Sequence, residues 1–232
     1  MKKNSFILAF IMASGITCAF GQANEMQDDI NMIIKNLVDS KESIKKYEWI
    51  ETTTTFVNGE QKSVKQNQCY YAVDGTLTQV ATGATTAPKT PGGLRGKVAE
   101  NKKEDMADYM DLAIAKIKKY IPPQADKIKQ IYAAGGTAIH VLEPGKKFKL
   151  DFPDYIDKGD MLSLTLDKAN KLLLAYSVNT FVENATDKVS LDITLEILPD
   201  RTSYAGEVTF NSPGKKVKIV MQNSGFKLGA GH

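Results

Sequence analysis

Apolar residues first recur at helical spacing over residues 24–46, where Met26, Ile30, Ile33, Ile34, Leu37 and Ile44 fall on one face. Asp28 and Asp29 near its start and Lys45 and Lys46 at its end suit the helix dipole. The period then changes. Residues 47–57 are rich in Thr, aromatic and β-branched side chains, as strands are, and Asn58-Gly59 follows as a two-residue hairpin signal. The pattern predicts further strands at 63–73 and 76–81, joined by a second turn of the same kind at Asp74-Gly75. Residues 82–97 break the pattern. They hold Gly83, Pro88, Pro91, Gly92, Gly93 and Gly96 together with basic Lys89, Arg95 and Lys97, and read as a long mobile loop, either a lid or a surface insertion.

Helical spacing returns over 100–120, with Met106, Tyr109, Met110, Ala113, Ile114 and Ile117 as one apolar face. Pro122 and Pro123 stop this helix and open a short one over 125–134, which Gly135-Gly136 ends. Strands follow at 137–142, 148–152, 161–166, 172–182, 188–198, 204–210 and 217–222. The tetrapeptide Pro-Gly-Lys-Lys occurs at 144–147 and again at 213–216, and reads as one type II hairpin solution used twice. The whole is an α+β chain whose antiparallel sheet of about ten strands packs on two or three helices.

The N-terminus follows the secretory plan. Lys2 and Lys3 precede an apolar run over 6–20, and Ala19-Phe20-Gly21 is a small-x-small cleavage site, so residues 1–21 read as a signal peptide and the mature chain as beginning at Gln22. The run is too short for a membrane span, which needs about 20 apolar residues. Cys18 is preceded by Gly15 and Thr17 where a lipid-attachment signal wants a Leu-like residue and a small one. The expected location is therefore periplasmic or secreted, with no transmembrane segment in the mature chain.

Composition narrows the function. Removing 21 of 232 residues leaves 211, which fits a single domain over 22–232. Both signal lysines leave with the peptide, so the net charge falls from +3 to +1, and no cationic face points to nucleic acid. Cys69 is the only cysteine left and has no partner for an internal disulfide. With His140 and the terminal His232 as the only histidines, a His/Cys zinc site lacks ligands, and no metal or cofactor is expected.

Catalytic signatures are equally sparse. Cys69 with His140 is the one conceivable thiol–imidazole pair, yet Cys69 sits mid-strand beside Tyr70 and Tyr71 with nothing to lower its pKa, and reads as a buried structural cysteine. No nucleophile elbow or phosphate loop occurs, so no enzyme is expected. Asp151, Asp154, Asp157 and Asp160 surround a turn, but their spacing fits no calcium loop and Lys158 intrudes, so they read as a solvated acidic turn.

The order of helix, meander, loop, two helices and longer meander behind an export signal resembles the periplasmic lipoprotein-carrier family, the LolA-like fold. The strand–turn–strand piece from Leu164 to Leu174 and the inter-strand loop from Pro199 to Tyr204 look like pieces common in such sheets. The chain also looks like uncharacterised exported bacterial proteins. The LolA-like resemblance implies an incomplete β-barrel that closes over helices and leaves an apolar cavity for acyl chains. The expected ligand is a lipid or other apolar molecule, lined by Met106, Met110, Ile114 and Ile117 of the facing helix. The alternative is a structural or interaction protein of the envelope with a filled core and a protein partner.

Overall fold

The computed structural model describes the backbone of residues 17–83 and 94–229, and the side chains of 28–33, 35–83 and 104–229. Helix α1 (Thr17–Ser43) runs into a 3₁₀ turn (Ile44–Lys46) and then into β1 (Tyr47–Val57), β2 (Glu60–Tyr71) and β3 (Leu77–Ala81). Helices α2 (Leu94–Ile117) and α3 (Ala125–Ala133) come next. The chain ends in a meander of β4 (Ala138–Glu143), β5 (Lys147–Pro153), β6 (Met161–Asp167), β7 (Leu172–Phe181), β8 (Lys188–Ile197), β9 (Ser203–Ser212) and β10 (Val217–Leu228).

All ten strands form one antiparallel, open, curved sheet in the order β3-β2-β1-β10-β9-β8-β7-β6-β5-β4. Two meanders are thus fused where β1 pairs with β10. Strands β3 and β4 are neighbours in sequence but occupy opposite edges of the sheet. The segment between them must cross the sheet, and it does so as α2 and α3. That crossing places apolar helix faces over the sheet and makes one core. Ile30 and Ile33 of α1, Tyr109, Ala113 and Ile117 of α2, and Ile128 of α3 are buried with Leu150, Phe152, Leu162, Leu164, Leu166, Leu173, Val178, Leu191 and Phe210. Strands β5 to β9 supply the sheet side of this core; burial alternates along β8, whereas β5 and β6 each bury three consecutive residues, 150–152 and 162–164.

Local departures from the sequence reading have physical causes. Asn58 and Gly59 both take positive φ, 54° and 79°, the type I′ geometry that twists with the strands. Strand β2 therefore starts at Glu60, directly opposite Val57, rather than at residue 63. The Asp74-Gly75 turn is a longer connection, since Tyr71 pairs with Leu77 and the Ala72 amide donates to the Thr76 carbonyl at 2.9 Å. The two Pro-Gly-Lys-Lys segments do not fold alike. Gly145 takes φ 72°, as a type II turn needs, whereas in the second copy Lys216 takes the positive φ, 53°, and Gly214 does not. The second loop is longer by a residue, and the Asn58 amide of the neighbouring hairpin donates to its Lys216 carbonyl at 2.9 Å. Helix α2 begins at Leu94, so the expected loop ends before that residue, and its 84–93 portion lies outside the described residues. Helix α1 extends back to Thr17, through the expected cleavage site after Gly21.

Candidate functional site

Helix α2 fixes one half of the helical layer. Tyr109, Ala113, Ile117 and Tyr120 are all buried, at i, i+4, i+8 and i+11 along and just past the helix. The stripe is tied down by polar groups at one end of the sheet. The Tyr109 hydroxyl donates to Asp187 Oδ1 at 3.0 Å and accepts from Ser212 Oγ at 2.8 Å. Lys116 donates to Asp157 Oδ2 at 2.5 Å and lies over the Phe181 ring. The Tyr120 hydroxyl donates to Asp160 Oδ2 at 2.5 Å and lies 2.9 Å from Thr180 Oγ1. Burial, together with the Asp160 carboxylate, holds the Tyr120 phenol well above its usual pKa. Here α2 packs its buried stripe into the core.

The expected lining residues sit accordingly. Met106 and Met110 pack part-buried against the core, and Ile117 is inside it. Ile114 is 44 % exposed. At about 100° per residue, Ile114 lies about 100° from the middle of the buried stripe, so it turns to solvent and the helix's apolar face is narrower than the sequence implied.

Among the described residues, a mainly apolar cavity lies elsewhere, between α1, the start of α3 and strands β6 and β7. A cavity of about 350 Å³ is lined there by Ile30, Ile33, Leu37, Val38, Lys41, Glu42, Pro122, Pro123, Ala125, Ile128, Leu164, Leu166 and Leu173. None of the four α2 residues lines it. Its inner wall is dry: Ile30, Ile33, Ile128, Leu164, Leu166 and Leu173 are each at most 4 % exposed. Its mouth is wet, with exposed Val38, Lys41, Glu42 and Pro122. The sequence placed Ile30, Ile33 and Leu37 on one apolar face, and Leu164, Leu166 and Leu173 fall in the segment that carried the family resemblance. It held no signal that these two groups face each other across a gap, because that depends on how α1 crosses β6 and β7.

The position of α1 over this gap is set by polar contacts. Asp29, 3 % exposed, pairs with Lys171 of the β6–β7 turn, and Lys168 of the same turn lies 3.8 Å from its other oxygen. Asn36 Nδ2 donates to the Lys171 carbonyl at 3.0 Å, and the Ser203 amide donates to Ser40 Oγ at 3.0 Å. These fasten α1 along its polar side and leave its apolar side over the cavity.

The remaining candidates separate. Cys69 is free and fully buried, and its thiol is pushed up by burial first and then by Glu51. His140, on edge strand β4, lies eight strands away in hydrogen-bonded order and pairs instead with Asp151, Nε2 to Oδ2 at 2.9 Å. Asp151 also accepts from Ser163 Oγ at 2.5 Å and pairs with Lys149 at 3.1 Å. The serine donates to the carboxylate and does not meet the imidazole, so the three do not make a nucleophile with a base. The acidic turn is likewise divided: Asp154 accepts from the Gly159 amide, Asp157 from Lys116, and Asp160 from two loop amides and Tyr120.

No family model matches the sequence, and no curated protein matches it. Among solved structures the chain is similar to a putative outer membrane lipoprotein-sorting protein domain from Vibrio parahaemolyticus, at 11 % identity and a TM-score of 0.40, covering 88 % of this chain and 93 % of that one. It is also similar to a LolA superfamily protein from Nitrosomonas europaea, at 8 % identity and a TM-score of 0.38, covering 85 % and 93 %. A third is a DUF1329 family protein from Desulfovibrio piger, at 8 % identity and a TM-score of 0.36, covering 88 % and 93 %. At identities of 8–11 % and TM-scores of 0.36–0.40, these likenesses assign this chain neither a family nor a role.

Proposed function

We propose that this is an exported envelope protein that binds an apolar molecule in the cavity between α1, α3 and strands β6 and β7. The observation that carries the reading is the cavity itself: about 350 Å³, with an inner wall of buried Ile and Leu and an open end. Small-molecule sites run from roughly 300 to 1,000 Å³ and are mostly apolar. A sealed apolar cavity of about 150 Å³ already takes up benzene. Filling this space with side chains would have stabilised the fold, since void volume costs about 24 cal/mol per Å³. A sequence that leaves it open gives up that stability for room. Export rests on Lys2 and Lys3, the apolar run after them and the small-residue site at Ala19 and Gly21.

The test is native mass spectrometry of protein isolated from its own envelope, beside an Ala125→Trp variant. Ala125 lines the cavity at the first residue of α3, so an indole there plugs the opening without displacing a core side chain. The expected result is an added mass on the native protein that is lost on denaturation and absent from the variant. A bare native chain that also fails to take up added alkane or acyl compounds would leave the fold as a structural module of the envelope.

A further inference from the structure

The two ends of the cavity differ in a way that specifies the head of its ligand as well as the tail. This inference rests on the cavity being a binding site. The mouth carries two charged residues, Lys41 and Glu42. Glu42 is already engaged, its Oε2 accepting from Lys45 Nζ at 2.6 Å. Lys41, by contrast, makes no ion pair or hydrogen bond with the described residues. Glu42 and Lys45 cancel, and the mouth is left with one uncompensated positive charge. Val38, 59 % exposed, sits one turn before Glu42 and continues the apolar wall outward. A chain that follows this wall passes from buried leucines to an ammonium.

We infer that the ligand is a single-chain amphiphile with an anionic head, such as a fatty carboxylate, its chain inside and its head at Lys41. The volume limits the chain. At about 30 Å³ for a group the size of a water, a space of about 350 Å³ holds about a dozen such groups. That is one medium-length chain, not two or three. The interior has no place for the head: among the inner lining residues every side chain is a hydrocarbon, and a carboxylate there would be desolvated without a partner.

The experiment measures binding of dodecanoate, 1-dodecanol and dodecyltrimethylammonium by displacement of a fluorescent probe, below their micelle-forming concentrations. The expected order is carboxylate, then alcohol, then ammonium. An exposed charge pair supports a preference of roughly two- to fivefold between the first two, and that preference shrinks at high salt. Lys41→Gln should bring dodecanoate down to the level of dodecanol, and Lys41→Glu should invert the order of carboxylate and ammonium. Lys45→Gln, which lies outside the cavity, should also weaken the carboxylate preference by freeing Glu42. Equal binding of all three amphiphiles, sensitive to Ala125→Trp but not to the lysine variants, would overturn the anionic-head inference and keep the cavity as a site. Absence of binding by all three would remove the site and the inference together.

Discussion

Ile114 and Ile117 stand one helical turn apart on α2, yet the first is 44 % exposed and the second 7 %. Truncating a buried isoleucine removes its transfer free energy and leaves a void, a loss of about 2–5 kcal/mol, whereas a half-exposed one has surrendered much of that already. Ile117→Ala should therefore cost about 2–5 kcal/mol in urea unfolding and Ile114→Ala less than about 1 kcal/mol. Similar losses at both positions would mean that α2 is rotated from the orientation described. This is also where the sequence is least informative at residue scale. Its spacing marks six apolar residues of α2 as one face, but the breadth of a buried stripe is decided by what the helix lies on, and the sheet below accepts only Tyr109, Ala113 and Ile117 fully. Cys69 was more legible, because a mid-strand cysteine followed by two tyrosines and without adjoining cations has few other roles. Asp151 yields a prediction in pH. Burial pushes its carboxyl up, but hydrogen bonds from Ser163 and Lys149, with the charges of Lys149 and His140, outweigh that and hold it below the usual carboxylate range. A carboxyl with a depressed folded pKa stabilises the fold above its unfolded pKa, about 3.9, and loses that contribution as pH falls. Asp151→Asn should be less stable by about 1–3 kcal/mol at neutral pH and should lose less further stability between about pH 5 and pH 2. Parallel acid limbs for variant and wild type would contradict this.

Element positions were set by period and by turn chemistry, and both were readable. Asn58-Gly59 fixed the first hairpin, and β-rich runs bounded by turn residues placed β5 to β9 within one or two residues. The two Pro-Gly-Lys-Lys segments show the limit. Identical tetrapeptides adopt different turns because the second must also meet the Asn58 amide of the adjoining hairpin, a contact 158 residues away that no local rule contains. The same holds for α1, whose helical character was plain and whose seat was not. Its buried Asp29 is answered by Lys171 and Lys168 from a turn more than 130 residues later. Lys171→Ala should leave that carboxylate short of its direct partner, costing about 1–3 kcal/mol. It should also raise amide exchange along α1 more than along α2, because α2 is held separately by Tyr109, Lys116 and Tyr120. Uniform acceleration over both helices would show that the pair does not act as a local fastening.

At the scale of the molecule, the fold follows from one topological fact. With β3 and β4 at opposite edges, the chain between them must cross the sheet, and it covers the core as it does so. The crossing is asymmetric. Helix α2 fills its half with Tyr109, Ala113 and Ile117, while α1, α3, β6 and β7 surround the cavity with aliphatic side chains. The sequence could show the apolar inventory on each side but not the distance between the sides, and so it put the expected pocket under α2.

Methyl-resolved NMR during a titration with dodecanoate tests the central claim most directly, because it reads each wall of the molecule separately. Progressive shifts are expected at the methyls of Ile33, Ile128, Leu164, Leu166 and Leu173, with those of Val208 and Ile219 unmoved. Shifts confined to Met106 and Met110 under α2, or no shifts up to the micelle-forming concentration of dodecanoate, would contradict it.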